Sequence, residues 1–144
     1  MENNSIIDEC LSKPYWVIDI LPKQVPANGG GQYFKIEEYF LRQPQFDEIC
    51  KKYCNLLIKL NCYYDISLYN VLDEQIFNPQ PELITGWMSS GEIVYAIIES
   101  EDAVFGFYGD EHSMALYNPH EDLLQMVREL AASEGLYVWK PTNQ

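Results

Sequence analysis

The sequence predicts a single α+β domain spanning residues 1–144, in which a mainly antiparallel sheet packs against two principal helices at about 44–60 and 119–134. Three observations support this fold class. Apolar residues recur at helical spacing over 44–60, strand-like segments separated by short turns fill 93–117, and a second helical segment with start and stop signals follows. A chain of 144 residues can bury about two-thirds of its unfolded surface in one core.

The first forty residues predict a short helix, a strand and a loop. Ser5 and Asp8 resemble a weak capping box, which favours a short helix near 6–12 that ends before Pro14. Residues 15–21 are rich in β-branched and aromatic side chains and predict a strand. Residues 22–31 contain two prolines and three consecutive glycines, so we expect a flexible loop. The residue pattern over 32–41 is compatible with either a strand or a helix.

The segment 44–60 predicts the clearest helix of the first half. Its apolar residues share one face, and acidic and basic residues lie between them. The residues of that face are Phe46, Ile49, Cys50, Tyr53, Leu57 and Leu60. A strand over 63–69 is predicted next, and 70–90 is expected to be irregular because Asn78-Pro79-Gln80-Pro81 is rich in turn-forming residues.

Residues 93–117 predict three antiparallel strands. The segment 93–98 is apolar at every position, as expected of a central strand that is covered on both sides. Short acidic turns then separate strands over 103–109 and 112–117. Four residues of this hairpin alternate onto one predicted buried face: Phe105, Phe107, Met114 and Leu116.

The second principal helix has signals at both ends. Asn118 is a good N-cap, Pro119 suits the first helical position, and Glu121 completes a capping box. Gly135 fits a left-handed C-terminal cap, and 136–139 predicts a closing strand.

The acidic residues are concentrated in the second half of the chain. Residues 1–64 hold 8 acids and 7 bases, whereas residues 65–144 hold 14 acids and 2 bases. The stretch 60–127 contains 12 acids and neither lysine nor arginine. Because the chain is 47% hydrophobic and 14% aromatic, we expect these acids to lie on the surface of a folded domain rather than in a disordered tail. This uneven distribution of charge indicates what kind of partner the protein binds rather than what reaction it catalyses.

The composition makes several function classes improbable. A net charge of -13 disfavours contact with nucleic-acid phosphates or anionic lipids, so we expect no nucleic-acid and no membrane partner. No apolar run approaches the roughly 18–20 residues of a membrane span. The first four residues lack the features of a secretory signal, which favours a cytoplasmic protein.

No cofactor is expected from the glycine or cysteine patterns. Gly29-Gly30-Gly31 lacks the spacing of a phosphate-binding loop and suits a flexible connection. The cysteines form no C-x-x-C pair, so we expect free, buried structural thiols in a reducing compartment. They are Cys10, Cys50, Cys54 and Cys62.

Catalytic and metal sites also find little support. The two histidines lie in the acidic clusters 110–112 and 120–122, which a strand of about 20 Å places at opposite ends of the sheet. They should not share a metal ion. A nucleophilic triad or a G-x-S-x-G turn is not evident. We therefore predict no catalytic and no metal-binding residues.

The predicted hairpin geometry places a set of charged residues at one edge of the sheet. This predicted acidic edge comprises Glu99, Glu101, Asp102, His120, Glu121 and Asp122. It is interpreted as a solvated surface, as a docking site for a basic partner, or as a chemical site. Tyr108 and Tyr117, with Tyr63 and Tyr64 as further candidates, would be binding anchors if they are exposed beside these carboxylates.

The sequence favours a non-enzymatic cytoplasmic binding protein whose acidic surface docks a basic protein. Small acidic inhibitors of basic nucleases, such as bacterial toxin-immunity proteins, have this general size and charge, so a nuclease toxin is one possible partner. Two alternatives stay open: a structural or regulatory domain whose charge serves solubility, and a metal-dependent hydrolase that uses the acidic edge.

Overall fold

The computed structural model describes residues 2–142, with side chains from Ser5 onward. The helices are α1 (Glu2–Leu11), α2 (Tyr33–Leu41), α3 (Gln45–Leu60), α4 (Pro81–Met88) and α5 (Glu121–Ser133). The strands are β1 (Tyr15–Asp19), β2 (Ser67–Asn70), β3 (Gln75–Phe77), β4 (Val94–Ile98), β5 (Ala103–Phe107), β6 (Met114–Tyr117) and β7 (Tyr137–Trp139). No helix in the described part of the chain is long and apolar enough to cross a membrane.

All seven strands form one sheet in the order β3-β2-β4-β5-β6-β1-β7. Every pair of neighbouring strands is antiparallel, which confirms the predicted α+β class. β2 and β3 form one hairpin, β4 returns to the other side of β2, and β4, β5 and β6 follow as consecutive hairpins. The N-terminal strand β1 lies between β6 and β7, so the two ends of the chain are joined in one half of the sheet.

One face of the sheet packs against α3 and its neighbouring helices. The register pairs Phe105 with Leu116 and Phe107 with Met114, and all four side chains are buried on this face, as predicted. The predicted apolar face of α3 is buried as well. These residues belong to one hydrophobic cluster that extends from β2 to β7. We call this side of the sheet the helix-covered face.

The opposite side, called here the open face, is only partly covered. On α1, Ile7 and Cys10 pack against Tyr69, Ile97 and Val104, which closes a second hydrophobic cluster over β2, β4 and β5. The prediction of a central strand covered on both sides therefore holds for β4. Toward β6, β1 and β7 the open face is only bordered by helices, at Leu11 of α1 and at Tyr33 and Phe34 of α2, and half-buried side chains line it.

Two parts of the sequence prediction need correction, and one segment left open is resolved. The segment 70–90 is not irregular, since it contains β3 and α4. The strand predicted over 63–69 begins only at Ser67, because Cys62, Tyr63 and Tyr64 donate their N–H groups to carbonyls of the last turn of α3. The ambiguous segment 32–41 is α2, and none of its residues is fully buried.

The ends of α5 show one correct and one wrong prediction. Gly135 has φ 74, and the N–H groups of Gly135 and Leu136 bind the last carbonyls of the helix, which confirms the predicted C-terminal cap. Asn118 is not the N-cap, Pro119 is not the first helical residue and Glu121 completes no capping box, because the helix begins at Glu121 with His120 as its N-cap. Instead, Asn118 has φ 61 and its Nδ2 donates to the Asp102 carbonyl at 2.9 Å.

Candidate binding surfaces

The predicted acidic edge is assembled around the turn between β4 and β5. Glu99–Glu101 form a single 3-10 turn, and Asp102 follows with a left-handed φ of 52. The Asp102 carbonyl accepts hydrogen bonds from Asn118 and from the Cys10 thiol, which attach this turn to β6 and to α1. The turn therefore has a fixed position next to the start of α5.

The carboxylates of this edge point to solvent. Glu101 is half-buried, and Glu99, Asp102, Glu121 and Asp122 are exposed. None of them forms an ion pair with a described residue. Burial and then the nearby charges of Glu101 and Asp122 raise the pKa of Tyr64, so these two carboxylates lie close to one aromatic side chain.

His120 lies on the other side of the same edge. It lines a pocket with Asp102 and Asn118, to which Glu9 of α1 and Lys13, two residues after the end of that helix, also contribute. Lys13 therefore places a positive charge beside the predicted acidic edge, and the sequence pattern did not predict this. The structure thus brings His120 to Asp102, whereas Glu101 and Asp122 meet at Tyr64.

The two predicted tyrosine anchors belong to a different surface. The hydroxyl groups of Tyr108 and Tyr117 lie 2.8 Å apart and form a hydrogen bond on the open face. The Tyr95 ring meets the Tyr108 ring edge to face at 6.0 Å, and the Tyr15 ring lies 5.5 Å from that of Tyr117. We call Tyr15, Tyr95, Tyr108 and Tyr117 the tyrosine cluster; each is half-buried.

A glycine allows the tyrosine cluster to lie flat on the sheet. A Cβ atom at Gly106 would be 2.8 Å from the Tyr108 hydroxyl, so only glycine leaves room for this ring to extend back over β5. Burial raises the pKa of Tyr108, and its hydrogen bond to Tyr117 acts in the same direction. The cluster therefore presents neutral rings and hydroxyl groups to a partner.

A polar network at the other end of β6 was not predicted from sequence. Asp19 and His112 are 2% and 5% exposed, and Asp19 Oδ1 lies 3.0 Å from His112 Nδ1. His112 Nε2 lies 2.9 Å from the Tyr33 hydroxyl and 3.4 Å from Glu37 Oε2. The Tyr53 hydroxyl lies 2.6 Å from the His112 carbonyl oxygen. The network joins β1, α2 and α3 to the turn before β6.

The positions of the acceptors favour a doubly protonated His112. The Tyr33 hydroxyl also lies 3.2 Å from Glu37 Oε2, and its single proton can serve one acceptor. With an imidazolium ring, Nδ1–H donates to Asp19, Nε2–H donates to Tyr33, and Tyr33 donates to Glu37. Its hydrogen bond to Asp19 raises the pKa of His112, burial opposes this, and the charges of Asp19 and Glu37 add to the increase.

The network borders a pocket of about 480 Å³ beneath the loop that precedes α2. Asp19 and Trp139 line it from the sheet, and Tyr33 and Phe34 line it from α2. The loop has no helix or strand, and Gln24 anchors it because its Oε1 accepts a 2.8 Å hydrogen bond from the Thr142 N–H. The predicted loop over 22–31 is thus one wall of a pocket.

The cysteines and metal-type residues can be placed as well. Cys10, Cys50 and Cys54 are buried free thiols, as predicted, but Cys62 is exposed, which corrects the prediction of four buried thiols. The Cys50 and Cys54 thiols interact, and this contact together with burial raises the pKa of Cys54. Among the residues that the structure describes, no group of three or more His, Cys, Asp or Glu side chains could hold a metal ion.

One sequence signal could have revealed the network. Asp19 is a carboxylate inside an otherwise apolar strand pattern, and a buried carboxylate requires a partner. With only two histidines in the chain, His112 was one of few candidates. However, His112 follows Asp110 and Glu111 in a predicted hairpin turn, and that turn was sufficient to explain the polar cluster without a buried partner for His112.

Comparison with protein families, with curated proteins and with solved structures finds no match to this chain.

Proposed function

We propose that this protein is a non-enzymatic binding protein that docks a basic protein partner on its open face and acidic edge. The observation that carries this proposal is the tyrosine cluster. Four half-buried tyrosines lie together on the sheet beside α1, whose Leu11 lines the same groove as three of them. Tyrosine is enriched among residues that dominate binding energy, because it offers a large contact area with little loss of side-chain entropy.

The distribution of charge supports a basic partner. The only two bases of the second half, Arg128 and Lys140, both lie over the Trp16 ring, at 5.0 Å and 5.6 Å from its centroid. Trp16 packs against the core of the helix-covered face, so these cations lie away from the tyrosine cluster. The acidic edge keeps five of the 14 carboxylates of the second half, none of them in an ion pair with a described residue, and this charge steers a cationic partner toward it.

The same features support a protein inhibitor, for example of a basic nuclease toxin, that acts by steric blockade. The carboxylates of the acidic edge would speed association, and the tyrosines would slow dissociation. Three buried free thiols and one exposed thiol fit a reducing compartment such as the cytoplasm. The alternative, in which the charge serves solubility alone, gives no role to the tyrosine cluster.

The test compares two variants that lose the same number of charges. The edge variant carries Glu101→Gln, Asp102→Asn, Glu121→Gln and Asp122→Asn. The control variant carries Asp47→Asn, Glu48→Gln, Glu82→Gln and Glu129→Gln, four exposed carboxylates on α3, α4 and α5. The edge variant removes two first-turn helix acids and the control variant three, so the loss of helix-dipole stabilisation is at least as large in the control.

A partner is captured from its source cells at low salt, identified, purified, and measured against each protein by surface plasmon resonance. We expect a basic partner whose association rate falls about tenfold for the edge variant and little for the control variant. Tyr108→Ala should raise the dissociation rate about tenfold or more. If both charge variants bind the partner with equal rates, the acidic edge is passive and the solubility alternative is favoured.

A further inference from the structure

The pocket beside Asp19 has a carboxylate at its base. Asp19 is 2% exposed and lines the pocket, and it accepts hydrogen bonds from the Ile20 N–H at 2.8 Å and from His112 Nδ1 at 3.0 Å. Both bonds go to Oδ1, and no described residue donates to Oδ2. The carboxylate therefore retains acceptor capacity toward a ligand in the pocket.

Aromatic side chains form the walls. Phe34 and Tyr33 line one side and Trp139 the other, and Phe34 is 81% exposed. The indole N–H of Trp139 is buried and finds no acceptor among the described residues. An unsatisfied buried donor is uncommon, and this one needs an acceptor, which a peptide carbonyl of a bound ligand or a water would supply.

The charges around the pocket select the class of ligand. Its lining residues include no lysine or arginine. The carboxylates of Glu37 and Glu111 also act on Tyr33, and burial together with these charges raises the pKa of Tyr33 to about 12. Around the pocket the three carboxylates of Asp19, Glu37 and Glu111 outnumber the single imidazolium of His112, so an anion is disfavoured. A flat cation, in contrast, can stack on the rings and donate to Asp19 and Tyr33.

We propose that this pocket binds a guanidinium group, carried by an arginine side chain of the protein partner. Guanidinium has five donors in a plane, which suits a carboxylate beside aromatic walls better than a compact ammonium group does. A volume of about 480 Å³ lies within the range of pockets that accept small ligands, so a single side chain with its flanking peptide groups fits.

The pocket is continuous with the proposed docking surface. Val17 lies on the open face beside the tyrosine cluster, and the sheet register pairs it with Trp139 of the pocket wall. A partner that covers the tyrosine cluster therefore reaches the pocket without leaving the face. The assignment of the arginine to a protein rests on the proposed function, whereas the binding of guanidinium does not.

The test needs no partner. The full-length protein is titrated with N-acetyl-arginine methylamide, which carries the side chain and two peptide groups, and nitrogen-15 NMR follows the amides of Gly30 and Gly31 and the indole of Trp139. We expect saturable shifts at these groups. The citrulline analogue, which has the same shape without charge, should bind about tenfold or more weakly, since it loses the charge-assisted bond to Asp19.

Asp19→Asn should abolish the shifts, and Asp110→Asn, which neutralises an exposed carboxylate outside the pocket lining, should leave them unchanged. Because Asp19 also binds His112, Tyr33→Phe provides a second variant, which keeps the ring but removes one acceptor and should weaken binding. Equal binding of the citrulline analogue, or shifts confined to other parts of the protein, would overturn the guanidinium site.

Agmatine, which has the guanidinium group without peptide groups, distinguishes the source of the ligand. Weaker binding of agmatine than of the peptide-like probe supports an arginine of a protein partner, and tighter binding overturns that assignment in favour of a small molecule. Failure of the proposed function looks different, because the Tyr108 and acidic-edge variants would then leave partner binding intact while the probe still binds.

Discussion

Replacing Asp19 by asparagine tests the buried network by the loss of one charge. Asparagine keeps an acceptor at Oδ1, so the hydrogen bonds from the Ile20 N–H and from His112 can both persist. What is lost is the charge beside a 5% exposed imidazolium. Removing one partner of a buried ion pair costs about 3–5 kcal/mol, and the retained acceptor lowers this to about 2 kcal/mol. We expect the midpoint of thermal unfolding to fall by roughly 4–8 °C.

The loss should depend on pH in a definite direction. The pKa of His112 is raised in the folded protein, and its ordinary value is about 6.5. Its contribution to stability is therefore fully present below about pH 6.5 and is lost as the pH rises through the raised pKa. The groups that face the ring are Asp19 on β1, Tyr33 and Glu37 on α2, and the adjacent Glu111.

Urea unfolding followed by circular dichroism at about pH 6 and about pH 9 measures the effect. The difference between wild type and Asp19→Asn should be larger at the lower pH. In a His112→Gln background the Asp19 substitution should cost little and show no pH dependence. Asp110→Asn is the control and should lie within about 0.5 kcal/mol of wild type. A difference that is absent, or that grows with pH, would refute a protonated His112 held by Asp19.

Three further outcomes follow from individual side chains. Tyr53→Phe removes a fully buried hydroxyl that contacts two carbonyl oxygens, and it should lower the free energy of unfolding in urea by about 1–3 kcal/mol. Tyr63→Phe is the control, because Tyr63 is 63% exposed and its hydroxyl should contribute almost nothing to that free energy. Gly106→Ala should displace the Tyr108 ring and break its hydrogen bond to Tyr117, at a cost of about 1 kcal/mol that the same measurement detects. A thiol reagent should modify Cys62 rapidly in the native protein and the other three cysteines only after unfolding; rapid native modification of more than one thiol would contradict their burial.

Local signals were sufficient for much of the fold. The alternation of Phe105 and Phe107 with glycine and valine determines which face of β5 is buried, because the side-chain period of a strand is two. The α3 helix is readable because its apolar residues repeat at helical spacing. Gly135 marks the end of α5 since its φ of 74 is costly for other residues. Each of these features depends on residues that are close in sequence.

The segment 70–90 was wrongly predicted to be irregular because a helix-start signal and a turn signal lie next to each other in the sequence. Pro81 is the first residue of α4, where its missing N–H costs nothing, but Pro79 beside it gave the appearance of a loop. The strand β3 has only three residues, and it is supported by the Asn78 side chain, whose Oδ1 accepts from the Ile66 N–H at 3.0 Å. Neither periodicity nor propensity reports such a bond.

The buried network could not be derived from sequence because its members are distant along the chain. Asp19 and His112 are separated by 93 positions, and Tyr33 and His112 by 79. Their contact depends on the insertion of β1 next to β6, and strand order is not encoded in any local pattern. The acidic edge was easier to predict from sequence, since Asp102 and Asn118 are 16 positions apart within one hairpin.

The positions of the charges explain why electrostatic and aromatic groups would act at different steps of binding. Four of the five edge carboxylates are exposed and screened by salt, so they change the rate of encounter more than the lifetime of a complex. The tyrosine cluster is half-buried before any partner arrives, and its rings are already fixed by contacts with one another. Little side-chain entropy is then lost on docking, which lengthens the lifetime of the complex. Raising the salt concentration should therefore slow association, whereas changes in the cluster should speed dissociation at any salt concentration.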